Sequence, residues 1–114
     1  MVRYSFLHAA LVAVGMSFGT GTAFAQAVDA DAAQSLIKKN DCGKCHAVDK
    51  KKDGPPYKET AAKYKGKAGA EDEIYKHLTT SPKVKIDGKE EEHKAVKTKD
   101  EGEIRNLARW ILTR

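Results

Sequence analysis

The stretch "DCGKCH", residues 41–46, constrains this chain more than any other feature. It holds both cysteines of the sequence, Cys42 and Cys45, three positions apart, with His46 directly after. Two cysteines so spaced have four ordinary uses. One is a disulfide, which an oxidising compartment favours. A redox dithiol expects a βαβ pattern around the pair, and the sequence offers no convincing strands. A zinc site wants a second pair of ligands at short spacing, and His77 and His93 stand too far apart for that. The fourth use is C-x-x-C-H, covalent attachment of a c-type haem. Two thiols at this spacing reach the two vinyl groups on one edge of the macrocycle and become thioethers. The next residue is then forced beneath the iron, which makes His46 the expected proximal ligand.

The cofactor bears on size. The chain has 114 residues, and the first 25 read as an export signal. Arg3 precedes an apolar run from about Leu7 to Phe18, and Ala23 and Ala25 supply an A-x-A cleavage pattern ahead of Gln26. The expected organisation is therefore a cleaved signal peptide over 1–25 and a single domain over 26–114. Both methionines, Met1 and Met16, leave with the leader, as does His8. The leader carries one basic residue and no acidic one, so its removal lowers the formal charge from +5 to +4. A domain this small buries a modest core and gains from a staple, metal or cofactor. A covalent haem supplies a large apolar face for the sparse hydrophobic residues to pack on.

Apolar periodicity predicts a helix from about Ala30 to Asn40, with Ala33, Leu36 and Ile37 on one face. "DGPPY" (53–57) reads as a turn, and a short helix is expected over Glu59–Tyr64. "AEDEIYKHLTT" (70–80) reads as a third helix, with acidic residues at its start and Ile74 and Leu78 as an apolar pair. Ser81 to Lys99 is polar and lysine-rich, and reads as one long loop. Asp100 is placed to cap a last helix, with Glu103 reaching back in a capping box. Ile104, Leu107, Ala108, Ile111 and Leu112 form its apolar face, with Trp110 as a packing residue beside it.

"CGKCHAVDKKKDGPPYKETAAKYKGKAGAEDEI" and "DEGEIRNLARWIL" together resemble the class I cytochromes c, in particular the small bacterial c-551/c-552 type. The resemblance spans nearly all of residues 26–114. It implies an all-α fold of about four short helices wrapped round one covalent haem, with the first and last helices crossing. It also implies that Pro55 offers its carbonyl to the free ring N–H of His46, which a metal-bound imidazole needs for orientation. In such relatives the sixth iron ligand is a methionine in the loop before the last helix, and residues 26–114 contain none. His93 lies 17 positions before Trp110, close to where that methionine falls, and is the candidate replacement. His77, on the third helix, is the candidate haem-propionate partner. Lys94, Lys97 and an open iron site remain as alternatives.

These readings predict a periplasmic one-electron carrier, not an enzyme, with a bis-His iron of lowered reduction potential. The alternative is a haem protein whose labile His93 yields to NO, CO or O2, or takes up a proton on reduction. Lys44, Lys50, Lys51 and Lys52 beside the haem motif suggest redox partners with acidic docking surfaces. No stable membrane insertion, no nucleic acid partner and a monomeric state are expected.

Overall fold

A computed structural model describes residues 27–114; the predicted leader lies outside the described residues. Four α-helices appear, α1 (Ala30–Lys39), α2 (Tyr57–Tyr64), α3 (Ala70–Thr79) and α4 (Glu101–Leu112), with a short 3-10 turn at Cys42–Lys44.

Each helix begins where its local chemistry dictates. Asp29 caps α1 by accepting from the Ala32 N–H at 2.9 Å, and Asp100 caps α4 by accepting from the Glu103 N–H at 3.0 Å. The second half of the expected capping box is made differently: the Asp100 N–H donates to Thr98 Oγ1 at 3.1 Å, not to Glu103. Helix α2 starts two residues earlier than expected. Pro56 has the extended φ/ψ of an N-cap, so the helix opens at Tyr57, and the Tyr57 N–H donates to the Ala47 carbonyl at 2.9 Å.

The main correction lies between α3 and α4. The expected loop contains an antiparallel hairpin, β1 (Lys83–Ile86) and β2 (Lys89–Glu92), with Lys83 opposite Glu92 and Lys85 opposite Glu90. Its turn is Asp87-Gly88, both at positive φ (49° and 76°). That is the backbone of a two-residue primed turn, for which Asp-Gly is a strong signal. The charged strands hid it: β1 alternates Lys with Val84 and Ile86 over only four residues, and β2 is charged throughout. Opposite charges facing across the strands support the pairing instead. The hairpin packs chiefly on itself.

Helix α4 is the centre of the core. It packs on α1, α2 and α3 through Ile104, Leu107, Ala108, Trp110 and Ile111, all buried, with Leu112 half-buried. Ala33 and Leu36 of α1 and Ile74 and Leu78 of α3 complete it. One buried polar side chain joins α4 to the start of α1. Asn106 Oδ1 accepts from the Asp29 N–H, and Asn106 Nδ2 donates to the Asp29 carbonyl, each at 2.8 Å. On the opposite flank Arg105 pairs with Glu71, Asp72 and Glu101, and Arg109 with Glu71, which ties α3 to α4.

Candidate haem site

Cys42 and Cys45 stand at the end of α1, where Asp41 turns the chain through a left-handed conformation (φ 55°) into the 3-10 turn. Both sulfurs are half-buried and are not joined in a disulfide. The His46 N–H donates to the Cys42 carbonyl at 2.9 Å, and the Cys45 carbonyl accepts from the Gly54 N–H at 2.8 Å. These bonds fold residues 52–55 back over the motif. Lys52 Nζ adds a bond to the Gly43 carbonyl at 2.6 Å.

The return of that segment fixes His46. Its Nδ1–H donates to the Pro55 carbonyl at 2.8 Å, which leaves Nε2 as the nitrogen free to bind a metal. Gly54 makes the approach possible. A Cβ there would lie 2.8 Å from His46 Nδ1 and 2.9 Å from Nε2, so only glycine lets the backbone pass against the ring. Tyr57, from the start of α2, lies near-parallel to His46 with ring centres 5.5 Å apart, and Trp110 meets Tyr57 edge-on at the same separation. Burial, and secondarily the neighbouring Cys42, push the Tyr57 phenol well above its usual range, so it stays neutral. Gly54 and Tyr57 escaped the sequence reading as site residues; the clue to Gly54 was its place just before the proline that faces His46.

His93 directly follows β2, and its N–H donates to the Pro82 carbonyl at 2.8 Å, at the hairpin root. The segment that reads as one long loop is thus tied down at this point. The rings of His46 and His93 are 6.1 Å apart, centre to centre, tilted by 52°. Two imidazoles sharing one metal through bonds of about 2 Å bring their ring centres to roughly 6 Å. His77, from α3, lies 4.5 Å from His93, ring to ring. Burial, and then the charge of His46, hold His93 below the ordinary imidazole range; burial, then His93, do the same to His77. The neutral form so favoured is the one that ligates metal. His93 Nδ1 and Trp110 Nε1 are buried without a hydrogen-bond partner among the described residues.

No three His, Cys, Asp or Glu side chains among the described residues are grouped to hold a bare metal ion. Two imidazoles at that separation fit a metal whose other ligands arrive with it, as the four nitrogens of a macrocycle do. Beside them lies an open polar cleft of about 330 Å³ lined by Glu73, Lys76, His77, Thr80 and Pro82. Lys94 and Lys97 lie on the same loop as His93, and both are exposed.

The cytochrome c family profile matches residues 30–114. The chain belongs to the cytochrome c family. As a family member it carries one covalently attached haem c, through Cys42 and Cys45. It is 36% identical to cytochrome c-551 of Pseudomonas aeruginosa over 94 residues, covering 82% of this chain and 88% of that protein. Among solved structures it is similar to the class 1 cytochrome MtoD of Sideroxydans lithotrophicus ES-1, at 53% identity and a TM-score of 0.73, over 76% of this chain and 97% of that one. It is also similar to cytochrome c552 of Nitrosomonas europaea, at 30% identity and a TM-score of 0.56, over 70% and 96% of the two chains. The expected small class I cytochrome c fold is therefore correct. No helix among the described residues is long and apolar enough to cross a membrane.

Proposed function

We propose that this cytochrome is a one-electron carrier whose iron is held by His46 on one side and His93 on the other. The haem supplies the chemistry, by cycling between ferric and ferrous iron. The 6.1 Å separation of the two imidazoles is the observation that carries the reading. His46 is oriented by Pro55, and His93 is held by its backbone bond to Pro82. With His46 and His93 both holding the iron, the chain would leave no place for a substrate, and so would move electrons and do no bond chemistry.

His93 stands in for a thioether, and imidazole is the stronger donor to ferric iron. A methionine ligand raises the potential of a cytochrome c, so His93 in its place lowers it. The cleft beside His77 suits the haem propionates, because Lys76 and His77 offer donors there against the single carboxylate of Glu73. The exposed Lys44, Lys50 and Lys51 form a basic rim beside the attachment motif, which favours acidic redox partners. Lys52 adds to the same rim, its ammonium charge held in place against the Gly43 carbonyl. The A-x-A pattern at 23–25 supports export to the periplasm.

Optical spectra of the haem protein, with and without carbon monoxide, test the ligation. Wild type is expected to be low-spin in both oxidation states and to resist carbon monoxide; His93→Ala is expected to become high-spin and bind it. A His93→Ala spectrum identical to wild type rejects His93 as the ligand. One observation favours the competing, labile-ligand reading: His93 Nδ1 lacks the acceptor that His46 has in Pro55. Ready binding of carbon monoxide by ferrous wild type decides for it. An equilibrium midpoint equal to that of His/Met members of the fold contradicts the lowered potential.

A further inference from the structure

The loop that carries His93 is fastened at three backbone points. The His93 N–H meets Pro82 at the hairpin root, and the Val96 N–H donates to the Leu78 carbonyl of α3 at 2.9 Å. The third point is made by a side chain. The Lys97 N–H donates to Asn40 Oδ1 at 2.8 Å, across 57 residues of sequence. Asn40 is the C-cap of α1 and is itself held, because its Nδ2 donates to the Leu36 carbonyl at 2.9 Å. The carboxamide is thereby locked with its oxygen toward Lys97.

The position of Asn40 in the chain gives this bond its meaning. Asn40 stands two residues before Cys42, and Lys97 stands four residues after His93. One carboxamide therefore joins the segment that attaches the haem to the segment that supplies the facing histidine. Without it, residues 94–97 keep only the Val96 bond on the C-terminal side of His93. We propose that Asn40 is a positioning residue for His93: it clips the distal loop to the attachment motif and slows departure of His93 from the iron. This rests on His93 being the sixth ligand.

The test uses the ferric haem protein mixed with excess cyanide, where the limiting rate of replacement reads the departure of His93. Asn40→Ala removes the clip and is expected to raise that rate about three- to tenfold, as the loss of one hydrogen bond implies. Asn40→Asp keeps an oxygen for the Lys97 N–H but loses the donor to Leu36, and it sets a negative charge at a helix C-terminus. It is expected to lower the melting temperature while keeping the cyanide rate near wild type. A merely structural role predicts the opposite, with rate following stability in both variants; that result, or an unchanged rate in Asn40→Ala, overturns the clip. His93→Ala is measured alongside. If it does not open the iron, the ligand assignment itself fails; if it does and Asn40→Ala leaves the rate alone, only the clip fails. Should Asn40→Ala not take up haem, amide exchange in wild type still decides. Protection of the Lys97 amide supports the clip, and its free exchange overturns it.

Discussion

At the scale of single residues, the site depends on how closely backbone and ring can approach. Gly54 is not in a left-handed conformation, so its requirement is steric alone. An added methyl meets the His46 ring, and that ring cannot yield without losing Pro55. Gly54→Ala is therefore expected to cost about 1–3 kcal/mol, the usual scale of overpacking. The prediction is checked by denaturant unfolding of the haem protein, with the haem absorption spectrum reporting the His46 displacement. A variant as stable as wild type with an unshifted spectrum shows that the loop gives way freely.

At the scale of elements, two changes should have contrasting reach. Asn106 pairs with both backbone polar groups of Asp29, and so joins the N-terminus of α1 to the middle of α4 at the edge of the core. Asn106→Ala leaves the Asp29 N–H without its partner, while the Asp29 carbonyl keeps the Ala33 N–H, and is expected to cost about 1–3 kcal/mol of global stability. Chemical denaturation measures it, and a loss below about 0.5 kcal/mol shows water satisfying that N–H. The hairpin should behave otherwise. A side chain at Gly88 must adopt φ near 76°, at about 1–2 kcal/mol. Because the hairpin packs chiefly on itself, Gly88→Ala is expected to speed amide exchange across Lys83–Glu92 while leaving the global transition nearly unchanged. A large drop in melting temperature contradicts this local picture.

At the scale of the whole molecule, the surface charge has consequences for encounter. The formal charge of the full sequence is +5, and the exposed Lys44, Lys50 and Lys51 crowd the attachment motif. Oxidation of the ferrous protein by an anionic metal complex should slow several-fold as ionic strength rises from about 0.01 to 0.15 M, since screening shortens from about 30 to 8 Å. Charge reversal at Lys50 and Lys51 should flatten that dependence. A rate independent of salt in wild type removes electrostatic steering from the account.

What the sequence determined by itself was whatever depends on neighbours along the chain. The spacing of Cys42 and Cys45, with His46 directly after, dictates covalent haem attachment, because two thiols three positions apart can reach one edge of one macrocycle. The apolar periodicity of 104–112 dictates the last helix and its buried face, and Asp29 and Asp100 mark the helix starts through bonds spanning three residues. The tertiary structure decided everything that joins distant segments. Of the strands at 83–92 the first alternates over only four residues and the second is charged throughout, so neither stands out from the chain until they pair across Asp87-Gly88. Asn106 looks like an ordinary helix residue until Asp29 is set against it. Asn40 and Lys97, 57 residues apart, carry no joint signal in the sequence. His93 could be singled out by its place before Trp110, but its ring stands 6.1 Å from His46 only because the hairpin, α3 and α1 each hold the loop by one bond. Those bonds close long loops of chain, and closure of that kind is set by the packed helices, which no local run of residues encodes.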